Sequence, residues 1–125
     1  MDSDKNNGLL VNAIDMRNTC DLDNIVFLDC RSSLGNADWG YEQYKLGHIP
    51  GARYASLDKD LSGSPGSNGR HPLPDRQSLA KTIGLWGIDA NTKVIAYDDG
   101  SCAYACRSWW LLRWLGHANV AVLNG

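Results

Sequence analysis

Short apolar runs that end in charge or in a turn alternate along this chain with stretches of helical spacing. "NIVFLDCR" (24–31), "TKVIAY" (92–97) and "NVAVLN" (119–124) are continuous apolar runs, the pattern of strands buried on both faces of a parallel sheet. "LLVNAIDMRN" (9–18) sets Leu10, Ala13 and Ile14 at helical spacing and predicts a short first helix. "WGYEQYKLGHIPGARYASL" (39–57) reads as a short amphipathic segment, a Gly-His-Ile-Pro-Gly turn and a second strand near 52–55. Leu79, Ile83 and Trp86 line one face of a helix that Asp75 is placed to cap and Gly84 or Gly87 to close. A further helix is predicted over 103–115. Residues 58–76, rich in Gly, Ser and Pro, form a long surface loop. Such alternation of strand and helix predicts an α/β fold: a parallel sheet of about five strands with helices on both faces.

Composition narrows the functional classes. The chain has 125 residues and a formal net charge of −2, enough for one domain with its own core. Its 12 basic residues are scattered without a run, so no nucleic-acid partner is expected. No apolar stretch approaches the roughly 20 residues needed to span a bilayer, and no membrane association is expected. The polar start "MDSDKNNG" is read as a flexible lead-in over 1–8 rather than a secretory signal, which predicts a cytoplasmic protein. In that compartment Cys20, Cys30, Cys102 and Cys106 are expected as free thiols. Cys102 and Cys106 have CxxxC spacing without a second ligand pair, which argues against a zinc site. No cofactor is implied.

"VIAYDDGSCAYACRSWW" (94–110) is the most informative stretch: a strand, a small-residue loop and a Trp-rich helix. A loop of that kind aims backbone N–H groups at an anion. Together with "FLDCR" (27–31), "LGHIPGA" (46–52), "LPDRQSLAKTIGLWGI" (73–88) and "RWLGHANVAVLNG" (113–125), it resembles the rhodanese domain, the sulfurtransferase fold, over residues 9–125. It is most similar to the first domain of the two-domain thiosulfate and 3-mercaptopyruvate sulfurtransferases. The resemblance implies that the last helix and a second domain, the partner of this one, follow the chain's end.

In that family the second domain carries a nucleophilic cysteine at the head of this loop, and the first domain typically has an acidic residue there. Counting back from "ACRSWW" puts that position on Asp99. A sulfurtransferase cysteine must be a thiolate that then holds sulfur as a persulfide. An aspartate can fill the cradle but has no sulfur to carry, so Asp99 is expected to be a structural plug and the chain to contain no catalytic residue. Cys102 is the alternative nucleophile. It lies five residues beyond Tyr97 and five before Arg107, spacings that fit neither the rhodanese loop nor the related phosphatase loop. Cys30 and Cys106 are expected to be buried and inert, while Cys20 carries no signal. His48 belongs to the "GHIPGA" turn and is expected to bond neighbouring backbone, with His71 and His117 in turns or at the surface. Asp29 and Arg31 are expected to tie the first strand's end to a loop. Trp109, Trp110 and Trp114 are expected mostly in the core, partly on an interdomain face.

The resemblance implies a domain of an enzyme that moves sulfane sulfur from a small donor, thiosulfate or 3-mercaptopyruvate, to cyanide or a thiol, the domain itself being structural. Two alternatives stand beside it: a stand-alone inactive binding module, and a small thiol enzyme using Cys102.

Overall fold

A computed structural model describes residues 10–12, 24–66, 69 and 71–124. Its strands are β1 (Leu10–Asn12), β2 (Ile25–Asp29), β3 (Arg53–Tyr54), β4 (Lys93–Tyr97) and β5 (Val120–Asn124). Three helices connect them: α1 (Trp39–Leu46), α2 (Arg76–Leu85) and α3 (Ala103–Trp114). All strand pairs are parallel, in the order β1-β5-β4-β2-β3.

The apolar runs that predicted buried strands occupy the middle of the sheet. Val94, Ile95 and Ala96 have no exposed surface, and Val122 is equally covered. Alternate residues feed two cores. On one face Leu28, Val94, Ala96 and Val122 pack with Leu79 and Ile83 of α2 and Ala105, Leu111 and Leu112 of α3. On the other, Phe27, Ile95, Tyr97 and Ala121 pack with Ala52, and with Tyr44 of α1 and Ile49. Helices therefore cover both faces, and a continuous apolar run is what such a strand requires.

The start of the chain departs from its pattern. The helix expected over 9–18 is replaced, at Leu10–Asn12, by a strand pairing in parallel with Val122–Asn124 of β5. Three apolar or small positions cannot distinguish a helix from an edge strand by period, and backbone hydrogen bonds to β5 decide the matter. The rest of that segment and the lead-in over 1–8 lie outside the described residues.

Helix α2 follows its signals closely. The Asp75 carboxylate accepts from the Ser78 N–H at 2.9 Å, satisfying one of the free donors of the first turn. Gly87 closes the helix at φ +84°, a conformation that favours glycine. Helix α1 approaches the end of β2 through Gly40, where a Cβ would collide with the Arg31 carbonyl and the Tyr54 hydroxyl.

Candidate functional site

The carboxyl ends of β2 and β4 lie side by side in the middle of the sheet, where open parallel sheets hold their ligands. At the end of β2, Asp29 is fully buried. It accepts from the Arg31 backbone N–H and from the guanidinium, with the shortest contact 2.6 Å from Arg31 Nη2. Arg31 Nη2 also donates to the Gly47 carbonyl at 2.6 Å, tying β2 to the end of α1. The Tyr97 hydroxyl donates to Asp29 at 3.2 Å and accepts from the Ile49 N–H at 3.2 Å. Burial, above all, pushes the Tyr97 hydroxyl pKa up. Asp29 and Arg31 thus join strand end and loop as the sequence suggested, with every oxygen of Asp29 engaged internally.

Beyond β4 the chain enters residues 98–102. Gly100 at φ +112° and Cys102 at φ +67° take left-handed conformations, and their own N–H groups turn inward as a nest. Cys102 is the only non-glycine with positive φ among the described residues, a conformation costing about 1–2 kcal/mol. What offsets that cost is a carboxylate. Asp98 Oδ1 accepts from the N–H groups of Gly100 at 3.0 Å and Cys102 at 2.9 Å. Its Oδ2 accepts from those of Tyr104 at 3.1 Å and Ala105 at 3.0 Å. Four donors at the head of α3, where the helix dipole favours negative charge, converge on one side chain.

The plug expected at Asp99 is therefore supplied by its neighbour. Asp99 is exposed, and its carboxylate accepts only a long 3.5 Å contact from Ser101 N–H. As the residue directly after the strand, Asp98 is held under the first turn of α3, whereas Asp99 turns outward. Counting back from the helix located the loop but could not say which of two adjacent aspartates faces inward. An Asx-turn signal, an aspartate two residues before a glycine, is the one cue that favours Asp98. Outside the filled cradle, an open cleft of about 540 Å³ is lined by Ser32, Ser33, Trp39, Asp99, Ser101 and Tyr104, among others.

The remaining candidates do not converge on this cradle. Cys102 is half-buried, its Sγ 3.9 Å from the Gly100 carbonyl. Cys30 is buried beneath the sheet's end, with Sγ 3.1 Å from Ser108 Oγ, and burial pushes its thiol pKa up to about 12. Cys106 is half-buried rather than fully enclosed, and Cys20 lies outside the described residues. Arg107 points away from the cradle, donating to the carbonyls of Leu61, His71 and Pro72 at 3.0–3.2 Å. It clasps the long loop, whose His71 meets Asp58 at 2.9 Å. His48 bonds the Tyr44 carbonyl at 2.6 Å and stacks on its ring. His117 is half-buried and bonds the Thr92 carbonyl. The tryptophans are less buried than expected: Trp109 and Trp114 flank the core, while Trp110 is 47% exposed and stacked on Trp114. One helix presents only part of its circumference to a sheet, and the Trp110 side of α3 faces outward.

A family profile described as "Rhodanese-like domain" matches residues 12–125. The chain belongs to the rhodanese family. It is 45% identical over 104 residues to the protein named "Probable 3-mercaptopyruvate sulfurtransferase" in Pseudomonas aeruginosa, spanning 81% of this chain and 37% of that protein. It is 37% identical over 84 residues to "Thiosulfate/3-mercaptopyruvate sulfurtransferase 2" of Arabidopsis thaliana, spanning 67% of this chain and 24% of that protein. Among solved structures, the 3-mercaptopyruvate sulfurtransferase from Leishmania major superposes with a TM-score of 0.85 at 32% identity, covering 95% of this chain and 33% of that one. This rhodanese domain thus spans about a third of the length of the sulfurtransferases it matches. No helix among the described residues is long and apolar enough to cross a membrane.

Proposed function

We propose that this chain is the N-terminal, non-catalytic rhodanese domain of a tandem sulfurtransferase. The parent enzyme moves sulfane sulfur from thiosulfate or 3-mercaptopyruvate to cyanide or a thiol through a cysteine persulfide. Its nucleophile belongs to a second rhodanese domain, against which this one packs. The carrying observation is the occupied cradle: the four N–H groups that would stabilise a thiolate or persulfide are taken by the Asp98 carboxylate. The short share of each relative that the chain covers supports a multidomain parent. A cytoplasmic location accompanies the reading.

The test is thiocyanate production by the purified, folded chain with either donor and cyanide as acceptor. No turnover above the uncatalysed background is expected. Turnover that Cys102→Ser abolishes would overturn the reading and make this domain a thiol enzyme in its own right.

A further inference from the structure

The long loop that Arg107 clasps borders a cavity which the proposed function does not use. It measures about 430 Å³ and lies between residues 58–65 and the first turns of α2, within the size of small-molecule sites. Its charged lining is three carboxylates, Asp58, Asp60 and Asp75, against one ammonium, Lys59. Pro65, Pro74 and Leu79 supply apolar wall.

Two lining residues lack the partners that their burial calls for. Ser62 has only 7% of its surface exposed. Its Oγ is the one buried side-chain oxygen or nitrogen among the described residues without a hydrogen-bond partner, a deficit that native structures rarely carry without a reason. Asp60 is half-buried, and its Oδ2 accepts from the Ser56 N–H at 2.9 Å. No Lys, Arg or His among the described residues forms an ion pair with it, although carboxylates withdrawn from water are ordinarily paired.

The groups on offer define the ligand. Carboxylates only accept hydrogen bonds. Ser78 and Thr82, also in the lining, commit their hydroxyl protons to Asp75 and to the Ser78 carbonyl, and so present lone pairs. An acceptor-rich cavity with excess negative charge suits a donor-rich cation. A bare metal ion does not fit, because no three His, Cys, Asp or Glu among the described residues group closely enough to hold one. The carboxylates therefore do not converge on one point, and a matching positive charge is spread along an extended ligand.

We propose that this cavity binds a linear polyamine. Its ammonium groups pair with Asp60 and the neighbouring carboxylates, its methylenes lie on the proline and leucine wall, and an amine N–H supplies the partner that Ser62 Oγ lacks.

The experiment is calorimetric titration of the whole chain with spermidine at about 0.15 M ionic strength, where distant surface charges are screened. Comparison ligands are n-butylamine, Mg²⁺ and an oligolysine peptide. The expected result is saturable binding of one equivalent of spermidine, tighter than any of the three. Asp60→Asn should weaken it by about 10-fold or more, the effect of one hydrogen bond to a charged group. Asp99→Asn, the same change of charge outside the cavity, should leave it unchanged. Ser62→Ala should weaken binding without lowering the urea midpoint of the free chain, since the hydroxyl it deletes has no partner there. Non-saturable binding, equal weakening by Asp60→Asn and Asp99→Asn, or unaltered affinity in Ser62→Ala would each overturn the assignment. So would tighter binding of n-butylamine, Mg²⁺ or oligolysine, the last by making the occupant a basic protein segment.

Discussion

Asp98→Ala removes the acceptor for four backbone N–H groups at once. The donors will not suffer equally. Those of Gly100, which is exposed, and Cys102, which is half-buried, lie in the loop itself and can turn to water. Those of Tyr104 and Ala105 lie in the first turn of α3, and the Ala105 residue is fully buried. Leaving a covered donor unmet costs about 1–3 kcal/mol; Tyr104 is only half-buried, so the two inner donors set a loss in the lower part of that range for each, about 2–4 kcal/mol together. Against a typical stability of about 5–15 kcal/mol that is a large fraction. For a chain of this size it corresponds to a drop of roughly 8–15 °C in Tm. Urea denaturation of both variants measures it, with Asp99→Ala expected within about 0.5 kcal/mol of the parent. Because the alanine variant opens a cradle of N–H donors, sulfate should recover part of the loss by binding the native state. Equal effects at positions 98 and 99, or an Asp98→Ala loss below about 0.5 kcal/mol, would refute this account of the loop.

Iodoacetamide at pH 8 should label Cys102 in the folded chain and spare Cys30, whose thiol is buried and shifted to about 12; peptide mapping showing equal labelling would contradict the packing. The Asp75 pKa is lowered by the Ser78 backbone N–H and then by the Ser78 hydroxyl, so its cap contributes above the unfolded carboxyl pKa of about 3.9 and fades as pH falls through the lower folded value. The destabilisation caused by Asp75→Ala should therefore be larger at pH 6 than at pH 2.5 in urea melts, and a pH-independent penalty would count against the cap. Arg107→Ala should cost about 2–3 kcal/mol, since charged donors to three carbonyls are lost. Limited proteolysis should then cut within residues 61–72, and an unchanged digestion pattern would show that the loop holds without its clasp.

Strands β2, β4 and β5 were legible because burial on both faces leaves an unbroken apolar run, and runs this short and rich in β-branched residues favour a strand over a buried helix. Helix α2 was legible for a local reason: Asp75, Ser78 and Gly87 carry their cap chemistry within the sequence. At Leu10–Asn12 the outcome depended on a partner more than a hundred residues away, and no local period encodes that pairing. The cradle was visible as a loop of small residues between a strand and a helix, but its occupant was not. Whether Asp98 or Asp99 faces inward is set by backbone dihedrals at Gly100 and Cys102, and a left-handed cysteine has no signature in composition. The reach of Arg107 to the Leu61 and Pro72 carbonyls likewise follows from how α3 passes the long loop, which spacing along the chain does not reveal.

The Asp98 carboxylate behaves as a ligand tethered to its own receptor. Joined by the few bonds between β4 and the first turn of α3, it presents itself at an effective concentration that even short flexible tethers place in the millimolar range. An outside anion must exceed that standing competition before it can occupy the four N–H groups. Dilute sulfur oxyanions in solution would therefore find the site already saturated, whatever their intrinsic fit. The chain as described should therefore show no measurable binding of such anions until Asp98 is removed.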